Sequence, residues 1–148
     1  MNATRQDTIE KQVLVKASRE RVFAAISDPE QIVNWFPEKV EGAFKVGEDA
    51  VLDFGKNWRF RVRIVASDRP SYFAYRWAPH SEQGAETEPL KEPTTIVEFW
   101  LDDSPEGTVV RLKESGFASL PAEVSAKQFE DNNGGWDTEL GRLVKLFE

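Results

Sequence analysis

Few residues in this 148-residue chain are equipped for chemistry, and the sequence restricts what those few can do. There is no cysteine and a single histidine, His80. That excludes thiolate metal sites, disulfides and a cysteine nucleophile. One histidine does not make a metal centre, which needs several ligands. A Ser-His-Asp triad would have to use His80, and no serine stands in a nucleophile-elbow context. Neither a metal nor a cofactor is therefore expected. The most interesting carboxylate is Glu114. In TVVRLKESGF it alternates with Val110 and Leu112, so a strand in that register turns it toward the interior. Buried there, its pKa would rise, which is how a general acid is made. A slip of one residue would put it outside, and a strand-end carboxylate that is solvated or paired is the commoner outcome.

The second resource is aromatic: 10 Phe, 5 Trp and 2 Tyr. Trp35, Phe36, Phe54, Trp58, Phe60, Phe73, Tyr75, Trp77, Phe99 and Trp136 fall on faces that spacing turns inward. Rings of this kind are often plain core. Around a space between a bent sheet and a helix, they would instead line an apolar pocket with a few polar groups. The candidate ligand-binding set is Trp35, Phe36, Phe54, Phe60, Tyr75, Trp77, Phe99, Glu114, Trp136 and Leu140; no residue is given a catalytic role. Tyr75, Trp77 and Trp136 stand out because each carries one donor able to orient a ligand. Arg59, Arg61 and Arg63, with Arg76 on the next strand, form a basic stripe on the opposite face. It serves either as a cross-strand ladder with partners such as Glu98 or as a docking patch for an acidic partner.

The elements that must position these residues follow from periodicity. Ile9, Val13 and Val15 mark a first strand, and Ser18 caps a helix whose Val22, Phe23 and Ile26 recur at helical spacing. Asp28-Pro29 ends it and starts a second short helix, PEQIVNWF, which Pro37 stops. The period then becomes two. VEGAFKVGEDAVLDFG predicts two short strands around Gly47-Glu48-Asp49. In NWRFRVRIVASDRP, Trp58, Phe60, Val62 and Ile64 share one face and the arginines take the other, as in a half-buried antiparallel strand. After the turn at Asp68-Arg69-Pro70-Ser71, Phe73, Tyr75 and Trp77 continue the apolar face. Residues 78–93 have no periodicity and read as a long exposed loop, which at residues 79–93 is either a lid on the cavity or a disordered insertion. A hairpin follows across Ser104-Pro105-Glu106-Gly107. From about Pro121 onward Phe129, Trp136, Leu140, Leu143, Val144 and Phe147 form one helical stripe. Gly134-Gly135 interrupts it, which implies a kink or a close approach of the backbone to something.

The order is a strand, two short helices, about six strands and a long helix. Strands joined by short turns make an antiparallel meander, and only the terminal helix is long enough to cover its apolar face. The expected fold is α+β, one domain over residues 1–148. The polar start and the lack of a long apolar run point to a cytoplasmic protein without a membrane span. The net charge of −7 argues against broad nucleic-acid binding. Its acidity is uneven, with 12 Lys and Arg against 11 Asp and Glu in residues 1–70, but 7 against 15 in residues 71–148.

In these features the chain resembles the small members of the START-like (SRPBCC), helix-grip superfamily, in the branch named after the activator of Hsp90 ATPase. The resemblance rests on VLVKASRERVFAAISDPEQIVNWF, DRPSYFAYRW, TIVEFWLDDSPEGTVVRLKESGF and GGWDTELGRLVKLF, in that order. It implies six to seven antiparallel strands curved around a long C-terminal helix, two short helices after the first strand, and an elongated cavity. It also implies a small apolar molecule as the first expected partner. The alternatives are an Hsp90-type chaperone, or a polyketide cyclase- or hydrolase-like activity. The sequence assigns no oligomeric state.

Overall fold

The computed structural model describes residues 7–55, 58–78, 90 and 93–148. The first strand, β1 (Thr8–Val15), is followed by helices α1 (Arg19–Ser27) and α2 (Pro29–Ile32). Then come β2 (Lys39–Glu41), β3 (Asp49–Asp53), β4 (Arg59–Asp68), β5 (Tyr72–Trp77), β6 (Thr95–Ser104) and β7 (Gly107–Ser115). A 3₁₀ turn at Phe117–Ser119 leads into the long helix α3 (Ala122–Leu146). The seven strands form one antiparallel sheet in the order β1-β7-β6-β5-β4-β3-β2. All neighbours are sequential except β1, which closes onto β7. A register shift between Ile64 and Ala66 adds a residue to β4 opposite β5. Such a bulge bends a strand and increases its twist, which curves the sheet toward α3.

Local chemistry accounts for the helix boundaries. The Ser18 hydroxyl accepts from the Arg21 N–H at the start of α1, and the Asp28 carboxylate caps α2 through the Glu30 N–H. Between β2 and β3 the observed connection, residues 42–48, is longer than the turn expected at Gly47-Glu48-Asp49, because Asp49 already pairs in the ladder opposite Arg63. Gly107 must be glycine. Its φ is +148°, and a Cβ there would sit 2.2 Å from the Val15 carbonyl oxygen where β1 ends against the hairpin.

The concave face carries Val62, Ile64, Phe73, Tyr75, Trp77, Val97, Phe99, Leu101, Val110 and Leu112, all buried. From α3 it receives Trp136, Leu140 and Leu143, and from α1 Val22, Phe23, Ala25 and Ile26. Helix α3 runs unbroken through Gly134-Gly135. The arginine stripe lies on the convex face, but its partners differ from the expected Glu98. Asp53 sits directly opposite Arg59 and Asp49 opposite Arg63. Arg59 bonds Asp53 and Glu41, and Arg61 and Arg63 both reach Asp49, at 3.7 and 2.7 Å. Glu98 instead accepts from the Tyr72 hydroxyl. No helix among the described residues is long and apolar enough to cross a membrane.

Candidate functional site

Glu114 lies on the concave face, next to last in β7. Across the sheet it shares a row with Ile9, Val97, Tyr75 and Ile64. It stands at the strand's end and is paired, as its sequence context makes common, but it is wholly buried rather than solvated. Four donors from three elements meet it. Its Oε2 accepts from the Trp77 indole N–H on β5 at 2.8 Å and from the Thr95 hydroxyl on β6 at 2.6 Å. Its Oε1 accepts from the Trp136 indole N–H at 2.8 Å and from the Asn132 amide at 3.0 Å, both on α3. Two accepted bonds per oxygen is the full capacity of a carboxylate, so every lone-pair direction is used. Burial pushes the Glu114 pKa above its ordinary 4.5, and the four hydrogen bonds oppose that rise without cancelling it. Among the described residues no cation is paired with it.

Beside this buried knot lies a pocket of about 590 Å³. Phe36, just after α2, Phe54 after β3, Phe60 on β4 and Trp77 at the end of β5 form its sheet-side wall. Helix α3 supplies the other wall through Val124, Gln128, Asn132, Gly135, Trp136 and Glu139, with Lys127 and Asp131 nearer solvent. Trp58 stands at the mouth, 53% exposed. The rings contact one another around the space: Phe36 stacks on Trp136 at 5.3 Å, and Phe60 meets Trp77 edge-on at 5.7 Å. Gly135 answers the question raised by the glycine pair. An added Cβ there would meet no protein atom within 4 Å, and the bare backbone faces the pocket.

The expected site residues therefore divide. Phe36, Phe54, Phe60, Trp77 and Trp136 line the pocket. Trp35 does not, because its indole N–H is turned to the Ala25 carbonyl at 2.8 Å and its ring is core. Phe99 packs edge-on under Trp136, and Leu140 lies in the core below it. Tyr75 is buried between Phe73 and Trp77, away from the lining, and its hydroxyl has no partner among the described residues. Burial raises the Tyr75 pKa well above the ordinary 10.0, and the charges of Glu114 and Glu139 add to it. The indole donors of Trp77 and Trp136 are already committed to Glu114, so they cannot orient a ligand as their residue types suggest. His80 and most of the 79–93 loop lie outside the described residues.

Sequence reasoning missed Thr95, Asn132 and Glu139. Asn132 and Trp136 are one helical turn apart, and Thr95 is paired directly with Trp77 in the β5–β6 ladder. Helical i,i+4 spacing marks the first pair; the second needs the strand register, which a loop of unknown path conceals. Glu139 also lines the pocket, and burial raises its pKa although Arg142 bonds it at 3.2 Å.

The profile of the family described as "Activator of Hsp90 ATPase homolog 1-like protein" matches residues 16–148. No curated protein matches the sequence. Among solved structures, the fold is similar to the solution structure of the Aha1 dimer from Colwellia psychrerythraea, with TM-score 0.75, 18% identity and 97% of each chain covered. It is similar to a protein from Mesorhizobium loti, with TM-score 0.74, 20% identity, 94% of this chain and 95% of the other. It is also similar to DynU16, a protein of the dynemicin biosynthetic locus, with TM-score 0.75 and 21% identity over 95% of this chain. The chain spans 46% of DynU16. At these identities the likeness is one of fold.

Proposed function

Since the chain belongs to the activator of Hsp90 ATPase homolog 1-like family, a branch of the START-like helix-grip superfamily, we propose that it binds a small apolar or aromatic molecule between the sheet and α3. One observation carries this reading: about 590 Å³ is left open among Phe36, Phe54, Phe60, Trp77 and Trp136, within the usual range for small-molecule sites. Glu114 supports it by holding both indole rings by their edges, so that their faces bound the space rather than fill it. A relative in fold that comes from a biosynthetic locus is in keeping with a small-molecule ligand.

Two competing roles rank lower. For an Hsp90-type partner, the convex arginines would have to receive acidic side chains, and Asp49, Asp53 and Glu41 already engage them. For cyclase- or hydrolase-like chemistry, Glu114 would have to reach substrate, and its four bonds and complete burial place it behind the wall.

The test uses N-phenyl-1-naphthylamine, a neutral dye that fluoresces in apolar sites. The dye should bind with about one equivalent per chain, and Trp77→Ala or Phe60→Ala should weaken it about tenfold or more while far-UV circular dichroism is kept. Absence of saturable binding to the unmutated chain would end this reading. Stimulation of a chaperone ATPase, lost on reversal of Arg59, Arg61 and Arg63, would favour the interaction role instead.

A further inference from the structure

The ring faces around the pocket lack something that other rings in this protein have. Arg21 lies over Phe147, Arg69 over Phe23 and Arg111 over Trp100, at 5.1–5.6 Å from the ring centres. Among the described residues, no guanidinium or ammonium takes such a position over Phe36, Phe54, Phe60, Trp77 or Trp136. These rings nevertheless present electron-rich faces to the space. The Trp77 and Trp136 N–H groups both donate to one carboxylate, which pushes electron density into the indoles and deepens the negative potential of their faces.

The charged groups around the same space have an excess of one sign. Asp131 and Glu139 line it, with Glu114 directly behind. Among the described residues Lys127 is the one cation of the lining, and it is tied to Asp131 at 3.1 Å. Arg142 bonds Glu139 from the solvent side and is not part of the lining. Counting these five, three carboxylates face two cations. An anionic ligand such as a fatty acid would meet the carboxylates of Asp131 and Glu139 along the α3 wall. A cation would meet ring faces and carboxylates together, the combination by which aromatic cages hold ammonium ions.

We propose that the pocket is selective for organic cations: molecules with an apolar or aromatic body and a quaternary or protonated ammonium seated against the faces of Trp77 and Trp136. This rests on the ligand-binding reading above and narrows it to one chemical class. The Glu114 cage serves the selection as well as the shape. If Glu114 holds a proton, the Thr95 hydroxyl can turn from donor to acceptor; an ammonium in the pocket favours the ionised form.

The experiment compares two probes of nearly the same shape that differ in charge, benzyltrimethylammonium and its carbon isostere 2,2-dimethylpropylbenzene. Each competes against N-phenyl-1-naphthylamine on the unmutated full chain. The ammonium should displace the dye at a concentration about tenfold or more below that of the isostere. Glu114→Gln and Glu139→Gln should each reduce this ratio, which compares the two probes on the same variant and so does not depend on that variant's own dye affinity. If the dye binds and the isostere competes as well as the ammonium, or the ammonium fails to compete, cation selection is wrong and the ligand-binding reading stands. If the dye itself does not bind, both fall. The comparison on the unmutated chain decides the matter even if a variant does not fold.

Discussion

Replacing Glu114 with glutamine keeps the size of the side chain and removes half of its accepting capacity. The carboxylate takes four hydrogen bonds, two on each oxygen. The amide oxygen can take two, while the amide nitrogen is itself a donor and faces two groups it cannot receive. The Thr95 hydroxyl can rotate to accept, but the indole and amide N–H groups have no such freedom. A buried donor left without an acceptor costs about 1–3 kcal/mol, so one or two of them cost roughly 1–6 kcal/mol. Relief from burying a charge offsets part of this, leaving a net loss of about 2–4 kcal/mol at neutral pH. At about 2–4 °C per kcal/mol for a chain of this size, the melting midpoint should fall by roughly 4–16 °C. Urea unfolding followed by far-UV circular dichroism measures the loss directly. The pH dependence adds a second test with a fixed sign. The folded-state pKa of Glu114 is raised above its ordinary 4.5, so between those two values the folded state binds more protons than the unfolded state. Stability from this group is fully present below about 4.5 and is lost as pH rises through the folded-state pKa. The gap between the natural chain and Glu114→Gln should therefore widen on acidification from about pH 8 toward pH 5. Taking the difference cancels groups such as Asp49, whose contribution runs the opposite way. There burial works to raise the pKa, but the bonds from Arg63 and the Leu90 N–H, and the charges of Arg63 and Arg61, outweigh it and hold the carboxyl below 3.8. A gap under about 0.5 kcal/mol at neutral pH, or one that narrows on acidification, would refute the account of the cage.

Three further outcomes are expected. Gly134→Ala and Gly135→Ala should each stabilise α3 by up to about 1 kcal/mol, since neither new methyl meets protein; only Gly135→Ala should weaken dye binding, because only Gly135 lines the pocket. Equal dye affinities in the two variants would place the ligand elsewhere. Trp35→Phe should cost about 1–3 kcal/mol through the orphaned Ala25 carbonyl and lost ring area, and leave dye affinity unchanged; a weakened affinity would return Trp35 to the binding wall. The chain has two tyrosines, and both are held above the ordinary phenol range. Burial and the bond to Glu98 push Tyr72 up to about 12, and burial lifts Tyr75 well above 10.0. The folded protein should thus show little tyrosinate absorbance near pH 10.5, whereas the denatured chain titrates near 10; a rise equivalent to both tyrosines at that pH in the folded protein would contradict the burial of Tyr75.

Much of the fold was legible because its signals are local. Ser18 and Asp28 are capping residues immediately before helical patterns, and the turn at residues 104–107 separates two alternating runs. The inward faces of β5, β6 and β7 are visible in their period of two, and Glu114 shares one of them, although the strand-end position left its burial open. What it meets there was not legible, because its donors come from β5, β6 and α3, brought together by the curvature of the sheet. The arginine stripe shows the same boundary. Asp49 and Asp53 lie four residues apart on one face of β3, a visible pattern, but only the β3–β4 register puts them opposite Arg63 and Arg59. Trp35 was misplaced for a different reason. It is adjacent to Phe36, and where the short helix α2 ends, period gives no direction; the indole was turned by a hydrogen bond to Ala25 rather than by hydrophobic pattern.

The open space and the buried carboxylate are two consequences of one arrangement. Rings as large as Trp77 and Trp136, free to choose rotamers, would close over an apolar gap, because filling it gains dispersion contacts and removes surface from water. Each ring has one polar atom, however, and that atom must find an acceptor when buried. Glu114 supplies both acceptors from a position below the rings, so any rotation that filled the pocket would break an indole bond to a carboxylate. Bonds of that kind are worth about 1.5–3 kcal/mol each. The pocket is open to water at its mouth, so leaving it unfilled forgoes only the burial of its inner wall. Holding a charge-assisted bond therefore outweighs closing the gap, and the space persists without a ligand. A leucine at position 114 removes that restraint. In Glu114→Leu the indoles are released to search for new partners, and dye binding should fall by about tenfold or more even where circular dichroism shows the strands and α3 intact. Unchanged dye affinity in a folded Glu114→Leu chain would show that the rings hold their places by packing alone.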